Sequence, residues 1–129
     1  MMRRKILVVD DNTHFCNVTK LALETMGRYQ VITANTGTQG ITLAKTHKPD
    51  AILLDIKMPR MDGGEVAARL MEDHATNRIP VIFLTGLVSS DEVEQGGGYL
   101  SGHPFIAKPF KTVELLKKIE TVLFPEQRA

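Results

Sequence analysis

Four short runs of unbroken apolar residues punctuate the chain: Ile6-Leu7-Val8-Val9, Ala51-Ile52-Leu53-Leu54, Val81-Ile82-Phe83-Leu84 and Phe105-Ile106-Ala107. They lack the polar alternation of a half-exposed sheet, as strands covered on both faces do. A fifth segment, Tyr29 to Thr33, mixes Gln30 and Thr33 with Val31 and Ile32 and suits an edge strand. The pattern places strands near residues 5–9, 29–33, 50–54, 80–84 and 104–107.

Helical signals fill the intervals. Phe15, Val18, Ala22 and Met26 recur at near-helical spacing. Thr36 with Gln39, ahead of Ile41, Leu43 and Ala44, forms a capping-box pattern, and Asp62 with Glu65 does the same before Val66 to Met71. Leu115, Leu116, Ile119, Val122 and Leu123 make one continuous apolar stripe near the end of the chain. Ser89 and Glu92 open a further capping pattern, but Val93, Glu94 and Gln95 then run straight into Gly96-Gly97-Gly98. Each helical Gly costs about 1 kcal/mol relative to Ala, so this helix is expected to be short and mobile, giving way to a loop through Tyr99 and Gly102. An order–disorder change over residues 88–103 is the motion that so short a helix suggests. Strands alternating with helices imply βαβ crossovers and a mostly parallel sheet with helices on both faces.

The 129 residues suffice for one well-buried core and not for two ordinary domains. The expectation is therefore a single domain over residues 1–129, without an output domain. A hydrophobic fraction of 43% with 24% charged residues is that of a globular chain. A net charge of +1 without a long basic run argues against a nucleic-acid surface. No stretch approaches the ~20 apolar residues of a membrane span. The single Cys16 forbids an internal disulfide, fits a cytoplasmic setting, and reads as a small apolar helix residue.

Ligands of open parallel sheets bind beyond the carboxyl ends of the strands. After the first apolar run come Asp10 and Asp11, after the second Asp55, after the third Thr85, and just past the last Lys108. Any one of these alone is a turn former, a helix cap or a solvated lysine. Five such residues at four concordant strand ends are much harder to dismiss. Two unit charges about 4 Å apart repel by about 4 kcal/mol at an effective dielectric near 20, so three carboxylates in one cleft call for cations. A hard divalent ion such as Mg²⁺ suits such oxygen ligands, and with Lys108 it brings the formal charge to zero. Such a site can accept a phosphoryl group, with ammonium and hydroxyl stabilising its oxygens. Asp55, alone on its strand, is better placed as the nucleophile than the Asp10–Asp11 pair.

The segments Leu7-Val8-Val9-Asp10-Asp11-Asn12, Leu53 through Gly63 (LLDIKMPRMDG), Phe83-Leu84-Thr85-Gly86 and Lys108-Pro109-Phe110 resemble, in order and spacing, the receiver domains of two-component response regulators. The resemblance covers essentially the whole chain. It implies a flavodoxin-like, doubly wound, five-stranded parallel sheet in the order 2-1-3-4-5. It implies that Asp10 and Asp11 hold Mg²⁺, that Asp55 is the phospho-acceptor, and that the backbone carbonyl of Lys57 is a further metal ligand. Thr85 and Lys108 would contact the phosphoryl oxygens, and the Lys108–Pro109 bond would be cis. Phe105, where relatives often carry Tyr, would join Thr85 as the switch. The implied donor is a sensor histidine kinase or histidine phosphotransfer protein, and the output a protein target, without nucleic acid or membrane. The chain would support its own phosphorylation and dephosphorylation without being a turnover enzyme.

Other readings are weaker. His14, His47, His74 and His103 lack ligand spacing, and Gly96-Gly97-Gly98 matches no phosphate loop. A metal-dependent aspartyl phosphatase would end its first strand in DxD and carry a cap domain. A phosphorylation-independent, degenerate receiver would have lost an acidic residue or the Lys. A flavodoxin would need a Ser/Thr/Gly phosphate loop after the first strand.

Overall fold

Side chains in a strand point alternately to opposite faces, so an uninterrupted apolar run feeds two cores at once. The computed structural model, which describes residues 3–27, 29–86, 99–100 and 102–125, has this arrangement. Its elements in chain order are β1 (Lys5–Val9), α1 (Thr13–Met26), β2 (Gln30–Ala34), α2 (Gly37–His47), β3 (Ala51–Asp55), α3 (Gly63–Glu72), β4 (Val81–Thr85), β5 (Tyr99–Leu100), β6 (His103–Ala107) and α4 (Thr112–Leu123). On one face Ile6, Val8, Leu53, Ile82, Leu84 and Ile106 pack against Cys16, Leu23, Leu115 and Ile119 of α1 and α4. On the other, Leu7, Val9, Ile52, Leu54, Phe83 and Phe105 meet Ala44, Val66, Ala67 and Leu70 of α2 and α3.

The strand order is β2-β1-β3-β4-β6-β5. The first five of these are mutually parallel and carry the expected 2-1-3-4-5 order. The five-stranded parallel sheet is thus as expected, and a short sixth strand is added to it at the edge. Tyr99–Leu100 runs antiparallel to β6, with Tyr99 opposite Pro104 and Leu100 opposite His103. Gly102, at φ 82°, supplies the left-handed backbone that the reversal requires. What reads as a loop through Tyr99 and Gly102 is thus partly a hairpin along the outer edge of β6. The helix expected from Ser89 and Glu92, and the Gly96-Gly97-Gly98 stretch, lie outside the described residues.

The first helix also departs from its apolar pattern. Cys16, Thr19 and Leu23 face the core, whereas Val18 is 51%, Leu21 69% and Met26 56% exposed. Small Cys and Thr side chains let the helix lie close to the sheet, and the larger apolar residues are left outside. The two capping patterns hold in substance. Thr36 Oγ1 accepts from the Gln39 N–H at 3.1 Å and Asp62 Oδ1 from the Glu65 N–H at 2.9 Å. The Gln39 side chain reaches back one residue further than a capping box requires, to the Asn35 N–H at 2.9 Å. Among the described residues no helix is long and apolar enough to cross a membrane.

The loop from Ile56 to Asp62 is drawn tightly under the end of β3. Arg60 sits at φ 68°, and the Met61 N–H donates across it to the Pro59 carbonyl at 2.8 Å, a γ-turn. The Gly63 N–H donates to the Ile56 carbonyl at 2.7 Å. A Cβ on Gly63 would lie 2.7 Å from Ile56 Cα and strike the Asp55 carbonyl oxygen. Glycine there lets α3 begin directly against the strand end that presents Asp55.

Candidate functional site

Strand order reverses between β1 and β3, and this is where the acidic residues collect. Asp10 and Asp11 follow β1, Asp55 and Thr85 close β3 and β4, and Lys108 follows β6. Asp10, Asp55 and Thr85 are buried, at 1%, 8% and 4% exposure, while Asp11 is exposed. One carboxylate oxygen from each of Asp10, Asp11 and Asp55 lies within 4.8 Å of the other two. This group contains no histidine.

Asp10 and Lys108 are held by their neighbours. The Asp10 backbone N–H donates to the Ala34 carbonyl at 3.0 Å, and Asp10 Oδ1 accepts from the Asn12 N–H at 2.9 Å. The Asp10 carbonyl accepts from Asn35 Nδ2 at 2.9 Å and from the Cys16 thiol at 3.3 Å. Burial, reinforced by the Asp10 charge, pushes the Cys16 thiol up to about 11, so it is an inert packing residue. Lys108 Nζ stands 2.6 Å from Asp10 Oδ2 and 3.8 Å from Asp55 Oδ1. The Lys108 N–H donates to the Thr85 carbonyl at 2.7 Å, and the Lys108–Pro109 bond is cis.

Asp55 is held away from its ordinary acidity. Burial first, then the Asp10 charge, raise its pKa from 3.8 to about 6. The exposed Asp11 adds to the rise; Lys108 and the Lys57 N–H oppose it. Lys57 thus reaches the Asp55 carboxylate through its backbone. Beside Asp55 opens a cavity of about 270 Å³ lined by Ile56, Lys57, Asp62, Thr85 and Gly86. Phe105 is 5% exposed and pairs in register with Phe83, on the sheet face shared with α2 and α3.

Three residues of this environment escape a reading of strand ends. Asn12 caps α1 by accepting from the Phe15 N–H at 2.9 Å while its own N–H fixes Asp10. An Asn just ahead of a helix is a signal for the former role only. Asn35 acts across β2, and its local sequence carries no mark of that. Phe15, which fits an apolar stripe, instead places its ring face 4.1 Å from Lys108 Nζ.

A donor set of clustered hard oxygens, one exposed, fits a divalent cation of the Mg²⁺ type, and an ammonium beside it suits an anionic group. The comparisons agree with this chemistry. The model of the response regulator receiver domain matches residues 6–120. Protein PilH of Pseudomonas aeruginosa is 37% identical over 92% of this chain and 97% of its own length. The transcriptional regulator RpaA of Synechocystis is 36% identical over 92% of this chain but 48% of its own. The chain thus spans about half the length of the curated transcriptional regulators it matches, with 49% for PhoP of Bacillus subtilis. The receiver domain of a sensor histidine kinase from P. aeruginosa superposes with a TM-score of 0.80 at 28% identity, over 95% of this chain and 98% of that one. That structure carries a magnesium ion coordinated in its active-site cleft. The chain belongs to the response regulator receiver domain family of two-component signalling.

Proposed function

We propose that this chain is a phosphorylation switch in which Asp55 takes a phosphoryl group from a phosphohistidine on a sensor histidine kinase or histidine phosphotransfer protein. The observation that carries this reading is the meeting of three carboxylates within 4.8 Å with an ammonium 2.6 Å from one and 3.8 Å from another. Asp10, Asp11 and Asp55, with the backbone carbonyl of Lys57, would hold Mg²⁺. When bound, the ion supplies positive charge that offsets both the carboxylates and the phosphoryl oxygens.

An Asp55 carboxylate oxygen attacks phosphorus, the P–N bond to the donor imidazole breaks, and the leaving imidazole takes a proton from solvent. Lys108 and the Thr85 hydroxyl contact the phosphoryl oxygens as charge redistributes among them. Thr85, drawn toward the phosphoryl group, and Phe105 on the neighbouring strand then relay the change to a protein target. An apolar groove of about 390 Å³ beside Lys108, lined by Phe15, Val18, Ala22, Phe110 and Leu115, supports a donor that docks through a helical surface. The reading makes the chain a switch, not a turnover enzyme. Cytoplasmic location follows from the donor it would serve.

The direct test is incubation with acetyl phosphate, or with beryllium fluoride as a mimic, with and without Mg²⁺. One Mg²⁺-dependent adduct on Asp55 is expected by mass spectrometry or NMR, and none on Asp55→Asn. Undiminished labelling of that variant would sink the assignment.

A further inference from the structure

The Lys108 ammonium has, besides its two carboxylates, a third neighbour. The Phe15 ring faces it, with the centroid 4.1 Å from Nζ, inside the roughly 6 Å range of a cation–π contact. The ring is itself held from two sides. The Phe15 backbone N–H donates to the Asn12 side chain at 2.9 Å, which fixes it in the first turn of α1. Phe110, two residues beyond Lys108, meets the ring edge to face at 6.0 Å and 89°. A lysine otherwise carries its charge on a flexible four-carbon stem in several rotamers. Here the ring takes the place of water over one side of an ammonium whose side chain is 25% exposed.

We infer that Phe15 is a positioning residue for Lys108: its aromatic face keeps the ammonium beside the Asp55 carboxylate, pre-organised for the incoming phosphoryl oxygens. The inference rests on the phospho-accepting reading above and deepens it. The Asp10 ion pair alone, at 2.6 Å, pulls the ammonium toward Asp10 rather than Asp55. The ring supplies attraction without a competing negative charge. An aliphatic residue would exclude water equally well but has no quadrupole to attract the cation, so shape and electrostatics are separable at this position.

Phe15→Leu and Phe15→Tyr, each checked by far-UV circular dichroism for an unchanged fold, provide the test. In the metal-free protein, the ring current should move the Lys108 Hε resonances upfield in the wild type and in Phe15→Tyr, and not in Phe15→Leu. With saturating Mg²⁺ and phosphoramidate, a donor too small to use the groove, the rate constant for Asp55 modification should fall about 2- to 30-fold in Phe15→Leu. Phe15→Tyr should stay within about twofold of the wild type. Ordinary Lys108 Hε shifts in the wild type, a folded Leu variant at the wild-type rate, or a Tyr variant as slow as Leu would each overturn the inference. A wild-type chain that takes no phosphoryl group on Asp55 would defeat the acceptor reading instead, and the Hε shifts would still decide the Phe15–Lys108 contact.

Discussion

Replacing Asp55 by Asn should stabilise the protein in the absence of divalent metal, although it removes the proposed acceptor. Burial and the Asp10 charge raise the Asp55 pKa from 3.8 to about 6, so the folded state resists the charged carboxylate more than the unfolded chain does. A proton equilibrium displaced that far corresponds to about 3 kcal/mol, at about 1.36 kcal/mol for each tenfold change. The Asp55 side chain is 11% exposed, so solvent screens little of this. Because the folded pKa is the higher one, the stabilisation by protonated Asp55 is complete below 3.8 and is lost as pH rises through about 6. Asn imitates the neutral acid at every pH. In excess EDTA near pH 7.5 the variant should therefore exceed the wild type by up to about 3 kcal/mol, a shift of about 1 to 3 M in the urea midpoint. The difference should shrink toward pH 4. The chain has no Trp, so far-UV circular dichroism is the suitable probe. EDTA is essential, because an ion that binds the folded wild type alone would mask the effect. An Asn variant no more stable than the wild type near pH 7.5, or an advantage that persists undiminished at about pH 4, would refute the reasoning.

Two further outcomes test the neighbours of Asp55. Asp11 is exposed, so Asp11→Ala should leave the unfolding free energy within about 0.5 kcal/mol while weakening Mg²⁺ binding about tenfold or more, read by calorimetric titration. Equal Mg²⁺ affinities would reduce the Asp10–Asp11 pair to a turn. Lys108→Ala removes the ammonium that lowers the Asp55 pKa, so that pKa should rise further above its ordinary range, read by NMR titration without metal. Near pH 8 its Mg²⁺ affinity should be equal or greater, because a like charge has left the cluster, while modification by phosphoramidate slows roughly 10²-fold.

The legibility of this chain follows from how local each signal is. β1, β3 and β4 are buried on both faces, so their unbroken apolar runs mark them, and the residue closing each run falls on the ligand-binding edge. Asp10, Asp55, Thr85 and Lys108 come together for that reason. The caps at Thr36 and Asp62 are equally local, a hydroxyl or carboxylate meeting an N–H three residues on. The phase of α1 is different. Which of its stripes faces inward depends on how closely the helix approaches the sheet, and Cys16 and Thr19 win that place over Val18 and Met26 because they are small. The β5–β6 hairpin escaped because glycine signals a break and a tight turn alike, and only the partner strand distinguishes them. Asn35 and Phe15 act across 25 and 93 residues of sequence, on Asp10 and Lys108, where no local pattern reaches.

On the reading proposed above, the same crowding that costs stability would give the site its responsiveness. Without a divalent ion, Lys108 is the one cation that touches the cluster among the described residues, and it leans toward Asp10 at 2.6 Å rather than Asp55 at 3.8 Å. Burial and the Asp10 charge, only partly opposed by Lys108, leave Asp55 with a pKa of about 6, and a protonated carboxyl is a poor nucleophile. Any added positive charge favours its ionised form, so on the phospho-accepting reading proposed above, cation occupancy of the acidic cleft and readiness of Asp55 would be coupled through one proton equilibrium. The backbone adds a second coupling. The Lys108 N–H is bonded to the Thr85 carbonyl at 2.7 Å, and Phe105 pairs in register with Phe83, two residues before Thr85. A displacement of Thr85 toward a group on Asp55 must therefore strain the β4–β6 pairing or carry β6 with it. Phe105, buried on that strand without a hydroxyl to anchor it, would in the proposed switch respond through packing alone.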